Sequence, residues 1–209
     1  MTIVGKKGSA WILIGILMII AALGWTAYNF WTAGAAGKRA ESAAGQLAKT
    51  IPAEPAAPFF APGDEVEYPD YVLNPDMDMP IKEIDGYSYI GLLEIPALGL
   101  ELPVQKDWNY PSLRVSPCRY EGSIYRNNMV ICGHNYPAHF GSLKELAEGD
   151  TVYFTDTDGN RFSYQVKETE VLAPSASEEM VSGDWDLTLF TCTIGGLSRV
   201  TVRCSRSTE

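Results

Sequence analysis

Leu187-Thr188-Leu189-Phe190-Thr191-Cys192-Thr193-Ile194-Gly195-Gly196-Leu197-Ser198-Arg199-Val200-Thr201-Val202 decides how this chain is read. The first half is apolar and β-branched and ends on a cysteine. The second half begins on an arginine and alternates Val200, Thr201, Val202. Gly195-Gly196 lies between them, and a glycine pair accepts the positive φ angles of a tight primed turn. The stretch therefore predicts a β-hairpin. With the two glycines as turn residues, Ile194 faces Leu197, Thr193 faces Ser198 and Cys192 faces Arg199. Directly opposed residues have Cβ atoms about 4.5–5.5 Å apart on one face of the sheet. A guanidinium beside a thiol favours the thiolate, and its donors suit a developing oxyanion. A register slip of one residue would put the two side chains on opposite faces.

A cysteine nucleophile needs a proton carrier, and the chain has only two histidines, His134 and His139. His134 follows the apolar run Met129-Val130-Ile131-Cys132 and then Gly133. This places it at a strand end, where a rigid scaffold holds loop side chains for function. His139 stands beside Phe140 and is expected at the entrance of the site. The candidate constellation is His134, Cys192 and Arg199. Arg203 and Arg206 read as surface arginines. Thr191 is expected to hold substrate or the backbone before the cysteine.

These residues resemble the sortase family. Thr188-Leu189-Phe190-Thr191-Cys192 with Arg199 downstream is similar to that family's Thr-Leu-x-Thr-Cys strand and arginine. Gly133-His134-Asn135 with Phe140-Gly141-Ser142-Leu143 is similar to its histidine segment, most closely that of class B. The stretch from 167 to 186, however, is shorter than the helical insertion of that class. Tyr89-Ile90-Gly91-Leu92-Leu93-Glu94-Ile95-Pro96 and Leu102-Pro103-Val104 resemble its first two strands. The resemblance covers about residues 85 to 204. It implies a cysteine transpeptidase that cleaves a Leu-Pro-x-Thr-Gly-like sorting motif through a thioacyl-enzyme. The acyl group then passes to an amine of a cell-wall precursor or a pilin lysine. Partners would be surface proteins bearing a sorting signal, the amine acceptor and the membrane. The chemistry needs no metal and no organic cofactor. Two other readings share the sequence: a cell-surface β-domain that binds without catalysis, and a cysteine peptidase that only hydrolyses.

The 209 residues carry a net charge of −10, which argues against nucleic acid as a partner. The four cysteines, Cys118, Cys132, Cys192 and Cys204, show no C-x-x-C spacing, so a zinc site is not expected. Apart from Cys192 they read as small buried residues, with Cys118–Cys132 the pairing to consider for a disulfide.

Residues 1–9 carry Lys6 and Lys7 and are expected in the cytoplasm. Residues 10–31 run almost wholly apolar, long enough for a membrane anchor, with Trp11 at one end and Trp25, Tyr28 and Trp31 at the other. A cleaved signal peptide ending near Ala33-Gly34-Ala35 is the alternative. A single-pass protein with its large domain outside the cell is the expectation. Residues 32–80 read as a short Ala-rich helix and then a Pro-rich, acidic linker. Residues 81–209 read as the catalytic domain. There the strand-like runs 89–95, 100–104, 128–132, 151–154 and 161–166 are separated by turn signals, among them Asp158-Gly159-Asn160. A short helix is expected over 140–146, irregular chain over 110–120, and a loop or helical turn over 175–181. The predicted fold is mostly β: one sortase-like β-barrel with short helices, preceded by one N-terminal transmembrane helix.

Overall fold

The computed structural model describes residues 6–52 and 68–207. The chain forms two compact units, Met1–Ala35 and Ala36–Glu209. Helix α1, Lys6–Ala48, supplies the described part of the first. No proline interrupts it before Pro52, and its large apolar side chains from Trp11 to Trp31 are exposed. It contains a window of mean hydropathy 2.2, so by length and composition it is able to cross a membrane. Most of the expected linker, residues 53–67 with Phe59 and Phe60, lies outside the described residues.

The second unit begins with the last turns of α1. Ala36, Ala40, Ala43, Ala44 and Leu47 recur at helical spacing and are buried. Ala40 joins the main core, while Ala43, Ala44 and Leu47 pack with Ile84, Tyr89 and Leu92. Alanine lets a helix approach a sheet closely, which is why a segment with little hydrophobic signal becomes part of the domain.

Nine strands follow among the described residues: β1 Lys82–Ile84, β2 Tyr87–Ile95, β3 Leu100–Gln105, β4 Cys118–Glu121, β5 Met129–Gly133, β6 Thr151–Asp156, β7 Arg161–Leu172, β8 Leu187–Cys192 and β9 Arg199–Arg206. Their order is β1-β2-β3-β4-β5-β8-β9-β7-β6, and β6 pairs back onto β2. Eight strands thus close a barrel, which removes the exposed edges of an open sheet. β1 and β6 share one edge of β2: β1 takes Tyr87–Tyr89 and β6 takes Gly91–Glu94. Closure demands glycine at 91, because a Cβ there would stand 2.3 Å from the Thr155 carbonyl oxygen. The pleat points Val152 and Phe154 of β6, and Phe162, Tyr164 and Val166 of β7, into the core. Each such side chain contributes about 1.5–3 kcal/mol by leaving water.

Several local expectations are corrected. The run 140–146 forms only a 3₁₀ turn, Leu143–Glu145, because Phe140 is drawn into the core and its carbonyl accepts from Leu143 N. The stretch 110–120 holds helix α2, Tyr110–Leu113, whose N-terminus is capped by the Asn109 side chain, and then β4. β1 and the Asp85-Gly86 turn, at φ 51° and 80°, precede the first expected strand. The 175–181 region, by contrast, takes the helical turn expected there, as the short helix α3, Ser177–Val181. Further short pieces need no label, a helical turn at Asp70–Leu73 and 3₁₀ turns at Pro96–Leu98 and Ile124–Arg126.

Candidate active site

The site is built by three neighbouring strands. β5 is buried along its length and runs parallel to β8, with Gly133 beside Thr191. β8 runs antiparallel to β9, with Cys192 opposite Arg199. His134 is the first residue after β5, Cys192 the last of β8 and Arg199 the first of β9. All three therefore leave the barrel at the same rim, on adjacent strands. The hairpin register is the one the glycine pair predicts. Thr193 N donates to Ser198 O at 3.0 Å, and both glycines adopt positive φ, 83° and 72°. The turn itself is wider than two residues, since the ladder ends at Cys192–Arg199 and a short 3₁₀ turn fills Ile194–Gly196.

Alternation along β8 sends Phe190 and Cys192 to one face and Thr191 to the other. Thr191 is buried, and its hydroxyl donates to the Gly133 carbonyl at 2.9 Å. It thus holds the backbone and fixes the β5 end to the β8 end. Gly133 lies under Phe140: a Cβ at 133 would stand 2.4 Å from a ring carbon. The loop after it is tightly closed, with Phe140 N donating to His134 O, and His139 N and Gly141 N both donating to Tyr136 O. His134 is half-buried, and burial lowers its pKa below the usual imidazole value. The positive charge of Arg114 lowers it further, and a hydrogen bond with Asn135 opposes both.

Cys192 is half-buried, whereas Cys118, Cys132 and Cys204 are buried. Cys118 and Cys132 are register partners across β4 and β5, and both are free thiols. Burial pushes the Cys132 and Cys204 thiols up to about 12, which suits inert core residues. Arg199 is also half-buried, and its Nη1 donates to the Gly196 and Ser198 carbonyls at 3.2 and 3.1 Å. Among the described residues no carboxylate pairs with it. Its fork is held by neutral acceptors that a stronger one can displace.

From Cys192 and Arg199 a cavity of about 180 Å³ extends over Phe190 and Cys132 toward Tyr120, walled by Trp108, Leu113 and Met180. Its lining is mainly apolar and aromatic, with Tyr120 edge-on to Phe190 at 5.3 Å and Trp108 tilted over Tyr120 at 5.7 Å. A groove of about 480 Å³ lies beyond the Trp108–Tyr120 wall and is rimmed by acidic residues, among them Asp76, Asp78 and Glu121. It does not reach the thiol. The smaller cavity is the one that adjoins the reactive groups.

Two sequence readings change. His139 does not line an entrance: it is fully buried, held neutral with its pKa pushed down to about 4 chiefly by burial. Arg203 is not a surface residue. It is 3% exposed, pairs with Glu170 at 2.7 Å and donates to the carbonyls of Glu179 and Met180 and to Thr188. β9 is an interior strand and α3 covers that face, so Arg203 ties α3, and with it the Met180 wall, to the barrel. Tyr136 also went unread. It stacks on His134 with centroids 4.2 Å apart and planes 12° apart. Nothing in an i, i+2 spacing announces such a contact.

Fold and site together define a closed β-barrel that presents an imidazole, a thiol and a guanidinium at one rim beside an apolar cleft. The Sortase domain family model matches residues 93–207. Sortase A of Bacillus anthracis is 25% identical over 139 residues, an alignment covering 64% of this chain and 63% of that protein. The chain thus spans just under two thirds of that relative's length. Among solved structures, the pilus-related sortase C of Group B Streptococcus superposes with a TM-score of 0.52 at 28% identity, over 60% of this chain and 70% of that one. A Clostridium perfringens sortase C, solved with the C-terminal cell wall sorting motif, gives 0.52 at 26% identity, over 69% and 79%. The chain belongs to the sortase family, whose members are cysteine transpeptidases.

Proposed function

We propose that this protein is a membrane-anchored sortase that joins a sorting-signal protein to an amine. The observation that carries the reading is the opposition of Cys192 and Arg199 at a rim shared with His134, beside an apolar cleft. In the first half-reaction the Cys192 sulfur attacks the carbonyl carbon of a Thr–Gly bond in a Leu-Pro-x-Thr-Gly-like motif. Arg199 donates to the oxyanion, and His134 gives a proton to the leaving amine. In the second, an amine attacks the thioester, His134 takes its proton and the thiolate departs. The cleft is the place for the Leu-Pro end of the motif, because its aromatic and aliphatic walls gain by excluding water. A related sortase C solved with a cell wall sorting motif supports a substrate of this class.

The apolar part of α1 is the proposed single-pass anchor, with the barrel outside the cell. The amine acceptor belongs to a peptidoglycan precursor or to a pilin lysine. The test is to incubate the full chain with a panel of Leu-Pro-x-Thr-Gly-like peptides, with and without amines such as oligoglycine or a lysine peptide. Amide product that grows with amine concentration is expected. Hydrolysis unaffected by saturating amine would establish a peptidase instead, and no cleavage of any peptide would favour a binding domain.

A further inference from the structure

The loop after β5 holds more than His134. Three rings follow one another in it: His134 stacks on Tyr136 at 4.2 Å, and Tyr136 leans on His139 at 5.6 Å with planes 54° apart. Tyr136 is held from several directions. Its carbonyl accepts from His139 N at 2.9 Å and from Gly141 N at 3.0 Å. Gly141 approaches so closely that a Cβ there would stand 2.8 Å from that oxygen. Pro137, the next residue, restricts the Tyr136 backbone to extended angles. Tyr136 also meets His139, which is fully buried and whose two ring nitrogens have no hydrogen-bond partner among the described residues, though the backbones of Ala36 and Val115 lie near.

We propose that Tyr136 is a positioning residue for the proton carrier, using its ring face to fix the His134 imidazole over the site and to favour its protonated form. This rests on the assignment of His134 as that carrier. An aromatic face attracts a cation within about 6 Å of its centroid, and a stacked ring also removes the freedom of the imidazole to turn away. Other groups also bear on the charge of His134. Arg114 at the end of α2 opposes its charging, burial does so too, and Asn135 of its own loop favours it. Cys192 and Arg199 stand at the same rim on β8 and β9. His139, the other ring against the phenol, stays neutral and does not compete as a cation for it. A transpeptidase needs its histidine charged to release the leaving amine and neutral to accept the incoming one. A ring that offsets burial keeps both forms within reach.

The test uses the full chain, detergent-solubilised, as wild type, Tyr136→Leu and Tyr136→Phe. Because the protein has only two histidines, the ring-proton NMR titration of His134 is read directly, whether or not a peptide substrate is turned over. Tyr136→Leu is expected to lower the His134 midpoint by about half a pH unit. The same variant should reduce kcat about three- to tenfold while KM for the peptide stays within about twofold. Tyr136→Phe retains the ring face and should match wild type in both. An unchanged midpoint in Tyr136→Leu overturns the proposal. So does Tyr136→Phe behaving like Tyr136→Leu, since the hydroxyl would then be the acting group. A raised KM with an unmoved His134 also overturns it, and would make Tyr136 a substrate contact. Absence of peptide turnover in wild type would overturn the transpeptidase reading and leave the titration to judge Tyr136.

Discussion

Cys192 and Arg199 are directly opposed across β8 and β9, the last pair before the chain turns. The turn clamps that pairing. Thr193 N donates to Ser198 O at 3.0 Å, and Ser198 N returns a bond to the Thr193 hydroxyl at 3.1 Å. A slip of one residue would break both bonds and turn Phe190 out of the cleft. The thiol and the fork of donors are thus held on one face by backbone geometry.

Arg199→Lys tests whether the fork matters. An ammonium carries the same charge but cannot present two parallel donors. Peptide turnover should fall about 100-fold, mostly in kcat, as when an oxyanion donor is removed. Near-normal turnover, measured by product formation at saturating peptide, would reduce Arg199 to a source of positive charge.

Gly133→Ala should injure the site from behind. The new methyl group would overlap the Phe140 ring, and overpacking of this kind costs about 1–3 kcal/mol. Gly133 precedes His134, so relief by movement displaces the imidazole. Both denaturant stability and turnover should drop. An unchanged midpoint of denaturation would mean that Phe140 has room to retreat.

The buried His139 gives stability a pH dependence. Its pKa is pushed down to about 4 in the fold, against 6.5 for the free side chain. Between these values the unfolded chain binds the extra proton. Stability therefore declines as pH falls from 6.5 toward 4, by roughly 3 kcal/mol at the lower end. His139→Leu should flatten the stability profile over that window relative to wild type, as followed by urea unfolding at several pH values. Parallel profiles for the two proteins would show that His139 charges freely in the fold.

The end of α1 is predicted to belong to the folded domain. Leu47 is fully buried and packs with Ile84, Tyr89 and Leu92. Leu47→Ala should remove about 2–4 kcal/mol from unfolding of the barrel. A barrel as stable as wild type would make residues 36–48 dispensable.

The hairpin was legible because each local signal agreed. β-branched runs, a glycine pair and an alternating return strand all asked for one register, and that register set Cys192 against Arg199. His134 was legible because an apolar strand ends just before it. The Asp85-Gly86 turn carries an equally good signal, but only three residues of β1 precede it, too few to read as a strand. The packing of Ala40, Ala43 and Ala44 was not legible, because alanine writes a weak hydrophobic pattern and its close fit depends on the sheet opposite. Arg203 was misread for a similar reason. Two of its four partners are the carbonyls of Glu179 and Met180, groups that every residue carries. Only the topology, which makes β9 interior and lays α3 over it, turns that arginine inward. The Tyr136 stack and the burial of His139 likewise depend on how the loop closes on Phe140.

The central claim is that Cys192 forms the acyl-enzyme. The most direct measurement is the intact mass of the full chain after incubation with Leu-Pro-x-Thr-Gly-like peptides, with Cys192→Ala run beside it. The substitution removes a sulfur at a half-buried rim position, so the fold should persist. The account predicts an added acyl mass on the wild-type chain alone, discharged when an amine is supplied. An adduct of equal size on Cys192→Ala would contradict it. So would no adduct with any peptide on a folded chain whose Cys192 alkylates freely.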